Sequence, residues 1–222
     1  MPAQSVRWFP RASLTATEAR TEPRPSRQSC GKSITRPEKW TSLRSFSGTV
    51  NGHALTVNDA VFGNPNSGFV AIIASDQSNL CTLLGGTTFP GGTVTVLGVA
   101  VANLNVPPTN IVAGPYQWYP LQGHSSPSPG LYFDGAFALP TDCNGGGEAF
   151  VPTGGTVTIT QLGTTTGTHL KATYTNVSFG PADGGTANVG TLNGSVDAVY
   201  CPNASAAPSC GRLLLARPPV GE

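Results

Sequence analysis

Three stretches in the second half of the chain alternate apolar and polar residues with a period of two. In GGTVTITQL, Val157 and Ile159 fall on one face and Thr156, Thr158 and Thr160 on the other. In THLKATYTNVSF, Leu170, Ala172 and Tyr174 oppose Lys171, Thr173 and Thr175. In GTLNGSVDAVYC, Leu192, Val196, Ala198 and Tyr200 oppose Asn193, Ser195 and Asp197. Successive side chains of a strand point to opposite faces, so this pattern predicts antiparallel strands with one wet face.

The first half reads as β-structure for other reasons. Asn51-Gly52 lies between short β-prone runs and predicts a two-residue hairpin, whose turn needs positive φ at both positions. FVAIIAS (69–75) is a continuous apolar run of the kind buried on both faces. DQSNLCTLL predicts one helical turn with Asp76 as N-cap. GTVTVLGVAVAN predicts a long strand kinked at Gly98. GLYFDGAFAL predicts either one strand or a tight hairpin at Asp134-Gly135. No long helical period separates these segments. The expected fold is all-β, an antiparallel β-sandwich of about eight or more strands, with a closed β-barrel as the alternative.

Charge divides the chain. Of its 222 residues only 10% are charged, and nine of the twelve basic residues lie in residues 1–44 beside three acids. Residues 45–210 hold Lys171 alone against seven acids, so the two segments carry +6 and −6. Such different segments are unlike parts of one folding unit. The expected organisation is a disordered basic arm over 1–44, a β-domain over 45–201 and a tail over 202–222. The arm carries no aromatic or amphipathic pattern, so no nucleic-acid partner is expected. No apolar run is long enough for a transmembrane segment. The arm also lacks the apolar stretch of a signal peptide, and polar residues before Cys30 argue against a lipidated cysteine.

Cys81, Cys143, Cys201 and Cys210 lie in or beside the body. They match no zinc spacing. Four cysteines in a lysine-poor, Thr-rich β-domain point to disulfides and an oxidising compartment. Of the three pairings, Cys81–Cys143 with Cys201–Cys210 is the preferred expectation, because the second closes a short loop. The expected location is extracytoplasmic: periplasmic, cell-surface or secreted. The missing export signal fits a natural N-terminus that differs from Met1.

SGTVNGHALTVNDAVF, SDQSNLC, FALPTDCNGGGEAFVPTGGTVTITQL and GTLNGSVDAVYC together resemble a loose set of uncharacterised bacterial exported or lipoprotein-like β-domains. The resemblance spans about residues 45–201. It implies export and a β-sandwich, and it implies no catalytic residues.

The chemistry-bearing residues are few. His53, His124 and His169 are scattered, and neither a nucleophile elbow nor a phosphate loop is present. No cofactor is expected. For calcium, the candidates are Asp142, Asn144 and Glu148 in DCNGGGE, with Asp183 and Asn188 in PADGGTAN. Oxygen ligands on Gly-rich loops suit Ca²⁺, although turn formation explains the same residues. GPYQWYPLQGHSSPSPG carries Tyr116, Trp118 and Tyr119, with His124 after them. In a strand Tyr116 and Trp118 share a face and Tyr119 points away. Core packing is the first reading of that pair; a platform for a glycan or lipid is the second. Three functions follow in order: a non-catalytic exported surface, structural or adhesion-type domain; a carbohydrate- or lipid-binding module using 116–133; and a hydrolase whose triad assembles across strands.

Overall fold

A computed structural model describes residues 44–64, 68–85, 94–105, 110–121, 128–141, 148–183, 185 and 187–205. The chain divides into Met1–Trp40 and Thr41–Glu222, and all described residues belong to the second unit. The basic arm (1–43), His124, Asp142, Cys143, Asn144, Cys210 and the tail from 206 lie outside the described residues.

The fold is all-β. Among the described residues, nine strands form one mixed sheet: β1 (Ser45–Val50), β2 (Asp59–Gly63), β3 (Phe69–Ser75), β4 (Val94–Asn103), β5 (Gly114–Trp118), β6 (Leu131–Thr141), β7 (Ala149–Gln161), β8 (His169–Pro181) and β9 (Gly190–Tyr200). One short helix, α1 (Leu80–Gly85), follows β3, and a 3₁₀ turn (Pro202–Ser205) follows β9. The sheet order is β1-β9-β2-β3-β4-β6-β5-β7-β8, and the additional β8–β9 pairing closes it into a ring.

The sheet is mixed, whereas the alternating pattern predicts an antiparallel one. β2 runs parallel to β9, and β5 parallel to β6. Parallel neighbours need a crossover of about a dozen residues rather than a tight turn. Residues 119–130 provide that length between β5 and β6. Beyond Trp118, β5 leaves the sheet and β6 pairs directly with β7 at Phe137–Phe150 and Ala138–Ala149.

The alternating stretches become β7, β8 and β9 with the expected faces. Val157, Ile159, Leu170, Ala172, Tyr174, Leu192, Val196 and Ala198 are buried in the main core. The alternation breaks after Tyr174, because Val177 and Phe179 are buried next. A bulge at Thr175-Asn176 inserts one residue in β8 against both neighbours, so the buried face changes parity. Asn176 takes a left-handed φ of 50° there. Gly155 on β7, itself at φ 104°, lies so near that a Cβ would sit 2.5 Å from the Asn176 carbonyl oxygen.

β2, β3 and β4 are buried on both faces. Inward, Phe62, Ile72, Leu97, Val99 and Val101 join the main core. Outward, Val61, Ile73, Val94 and Val96 form a second cluster with Ala136 and Ala138 of β6, capped by Leu80 and Leu84 of α1 and Ala204 of the 3₁₀ turn. This second layer explains why FVAIIAS shows no alternation. It also extends the folded body beyond residue 201.

Several local expectations change. Asn51 (φ 49°) and Gly52 (φ 79°) form the predicted two-residue turn, closed by two 2.9 Å hydrogen bonds between Val50 and His53, but only His53 bridges back to β1 and residues 54–57 form no second strand. GLYFDGAFAL is one strand. Asp76 does not cap α1. Its carboxylate accepts the Thr95 N–H, while Asp59 from β2 accepts the Leu80 N–H at 2.8 Å. The irregularity in β4 lies between Val94 and Val96, not at Gly98. The extra residue there belongs to β6, whose Pro140 has no N–H to give the ladder.

The cysteine pairing differs as well. Cys81 and Cys201 are bonded, with Cα atoms 5.6 Å apart. That excludes both Cys81–Cys143 and Cys201–Cys210. Loop length favoured the latter pairing, but α1 docks beside the end of β9 and brings together cysteines 120 residues apart.

Two core tyrosines carry an expected pH effect. Burial raises the phenol pKa of Tyr174, and burial also raises that of Tyr116 against a smaller lowering by its Val112 backbone bond. The native state therefore keeps protons that the unfolded chain releases above about pH 10. The stabilisation is whole below that pH and is lost as pH rises towards the folded values. Each tyrosine contributes a slope of up to about 1.4 kcal/mol per pH unit. Thermal melts across the alkaline range check this, and Tyr174→Phe should make the decline shallower. An unchanged slope in that variant would refute the assignment.

Candidate functional site

The aromatic segment divides between core and surface. Tyr116 is fully buried in the main core. Its hydroxyl donates to the Val112 carbonyl at 2.7 Å and accepts the Val112 N–H at 3.2 Å. It presents no ring to a ligand, which corrects its place in a surface platform and bears out core packing as its role. Trp118 shares that inward face, as the alternation predicts, and packs partly buried against the same core. It lies at the end of β5, and its indole Nε1 is buried without a hydrogen-bond partner among the described residues.

Tyr119 points the other way and meets Tyr132 of β6, with ring centroids 5.2 Å apart at 52°. Tyr132 donates to the Ser128 carbonyl at 2.9 Å. Beside them Gln117 is exposed and accepts from Thr156 at 3.2 Å. The surface remnant of the predicted platform is therefore Tyr119, Tyr132 and Gln117. Tyr132 was not identified from the sequence, because only the parallel β5–β6 register places it beside Tyr119.

The described acids serve mainly the backbone. Asp134 is buried, and its two carboxylate oxygens accept the Leu121 and Gly135 N–H groups at 3.0 and 2.8 Å. These groups lie where β5 departs from β6. Asp59 accepts the Ala60 and Leu80 N–H groups and pairs with Arg44 at 3.3 Å. Arg44 also donates to the Asp197 and Asn58 carbonyls, so it belongs to the folded body although its charge grouped it with the arm.

Of the described calcium candidates, Asp183 and Asn188 hold local turns, whereas Glu148 makes a long-range side-chain bond. Glu148 accepts from the Asn51 side chain at 2.9 Å. Asp183 accepts the Gly185 N–H at 3.1 Å, and Asn188 the Gly190 N–H at 2.9 Å. Among the described residues no group of three or more His, Cys, Asp or Glu side chains gathers around a common point.

Among the described residues, one acid–histidine pair forms across strands. His169 Nδ1 lies 2.6 Å from Asp197 Oδ1 on the outer face of β8 and β9. The local sequence around His169 offers no partner, since the contact spans 28 residues and depends on register. Ser195, on the same face as Asp197, pairs with Thr173, whereas His169 pairs with Val199. Four strand residues separate the two levels, roughly 13 Å at the usual rise per residue. Ser195 therefore cannot complete a triad with His169.

No helix among the described residues is long and apolar enough to cross a membrane. Comparison with known protein families, curated proteins and solved structures finds no match.

Proposed function

We propose that the β-domain is a non-catalytic, exported surface or adhesion-type module, akin to the bacterial exported β-domains that its motifs resemble. The observation that carries this reading is the use of its acids. Asp59, Asp76 and Asp134 accept backbone N–H groups at the start of α1, at the β4 irregularity and beyond the end of β5, which is structural work. The ring interior holds large apolar side chains, Tyr116, Phe133, Phe137 and Phe179 among them. The Cys81–Cys201 bond suits an oxidising compartment.

A glycan-binding reading rests on the outward Tyr119–Tyr132 pair beside exposed Gln117. It uses a smaller site than the sequence suggested. Aromatic faces with a neighbouring amide suit sugar rings.

The test combines location, thiol state and binding. Protein recovered from its natural host is alkylated before and after reduction, and intact cells are treated with an impermeant protease. The proposal predicts surface cleavage and protection of Cys81 and Cys201 until reduction. Alkylation of all five cysteines without reduction, or turnover of a hydrolase substrate panel, refutes it. A glycan array with Tyr119→Ala separates the two readings: binding that this variant abolishes favours the glycan module.

A further inference from the structure

The chain contains Asn-Gly at 51–52 and 193–194 within its described residues, in opposite settings. Asn51 is exposed at a two-residue turn. Gly52 faces open space, with nothing within 4 Å of where a Cβ would lie. Asn193 sits inside β9. Its side-chain oxygen accepts the Asn176 N–H at 2.7 Å, and Gly194 is paired with Phe46 of β1 and Tyr174 of β8.

We propose that Asn51–Gly52 is a self-modification site that deamidates through a succinimide, while Asn193–Gly194 is held unreactive by the sheet. The Gly52 amide nitrogen loses its proton to solvent base and attacks Asn51 Cγ. A C–N bond forms, the bond to the side-chain nitrogen breaks, and ammonia leaves. Water then opens the ring at either carbonyl, giving an aspartate or an isoaspartate linkage. The step consumes one water, releases one ammonia and needs no oxidant.

The same geometry gives the reaction a structural consequence. The Asn51 side-chain nitrogen donates to Glu148 Oε2 at 2.9 Å, tying the β1 turn to the entry of β7 across 97 residues. Conversion of the amide to a carboxylate removes that donor and sets two like charges together. The isoaspartate product also lengthens the backbone inside the turn that closes Val50 on His53. The modification thus acts as an age-dependent release of the turn that closes Val50 on His53 at the end of β1.

The difference in rate follows from local opening. A turn residue samples open conformations at little cost, whereas a ladder residue must first break its pairings. Each 1.4 kcal/mol of extra opening cost slows reaction about tenfold.

Full-length protein is aged in mildly alkaline buffer and mapped by peptide mass spectrometry that distinguishes isoaspartate from aspartate. A free peptide spanning the turn serves as the clock. The expected result is modification at residue 51 at least about tenfold faster than at residue 193. Asn51→Gly, which keeps a residue tolerant of positive φ, should remove the signal from that peptide. Asn51→Asp should lower the melting temperature, and adding Glu148→Gln should recover part of the loss. Equal or faster modification at Asn193 overturns the proposal. So does an unmodified Asn51 in folded protein once the free peptide has reacted.

Discussion

Replacing Phe137 by alanine is expected to lower the unfolding free energy by about 3–5 kcal/mol. Phe137 is fully buried on β6 where that strand begins to pair directly with β7. Its ring meets Phe179 of β8 across the interior, with centroids 6.0 Å apart at 59°. The loss combines the transfer free energy of the ring with a cavity that the surrounding strands cannot collapse to fill. β6 is held by β4 along most of its length and by β7 beyond the departure of β5, so its backbone has little freedom to move inward. Urea denaturation, read as a lowered midpoint at unchanged slope, checks the value. Phe137→Leu should cost less because it keeps most of the volume. A loss below about 1 kcal/mol in the alanine variant would show that the interior is loosely packed there.

Breaking the Cys81–Cys201 bond is expected to cost about 2–5 kcal/mol. It closes a loop with a sequence separation of 120, which removes much conformational freedom from the unfolded chain. It also fastens α1, a helix of 6 residues and too short to persist alone, over the outer cluster of β2, β3, β4 and β6. Thermal melts of the full chain with and without a dithiol reductant measure the cost. A matched Cys81→Ser, Cys201→Ser double variant separates reduction from side reactions at the other cysteines. If the reduced chain and double variant melt at the oxidised temperature, the bond contributes nothing.

Hydrogen exchange divides the effects of these two changes spatially. Reduction should speed exchange in α1 and near the end of β9 more than in β7 and β8. Those two strands belong to the main core, whereas α1 covers the second cluster. Phe137→Ala should act in the opposite sense, loosening the main core first. Equal acceleration everywhere in both cases would show that the two clusters unfold as one unit.

Local pattern alone determined most of the strands and the facing of β9, the second half of β7 and the first half of β8, but not β2 or the entry of β7. It also determined the Asn51-Gly52 turn and the double-sided burial of FVAIIAS. Each of these depends on short-range geometry: alternation of side chains, the φ demand of a two-residue turn, and the length of an apolar run. The sharing of a face by Tyr116 and Trp118 was legible for the same reason.

Tertiary structure decided what depends on register and distance. The β8 bulge at Thr175-Asn176 reverses the alternation without any change in residue type, because its neighbours on both sides accommodate one extra residue. Cys81 meets Cys201 because α1 covers the end of β9, a contact that no spacing rule contains. Asp59 caps α1 from another strand, and Asp76 serves the β4 irregularity. His169 reaches Asp197, and Tyr119 reaches Tyr132, only through strand pairing. A side chain's direction is a local property of its own strand, but its partner is chosen by which strand lies alongside and at what offset.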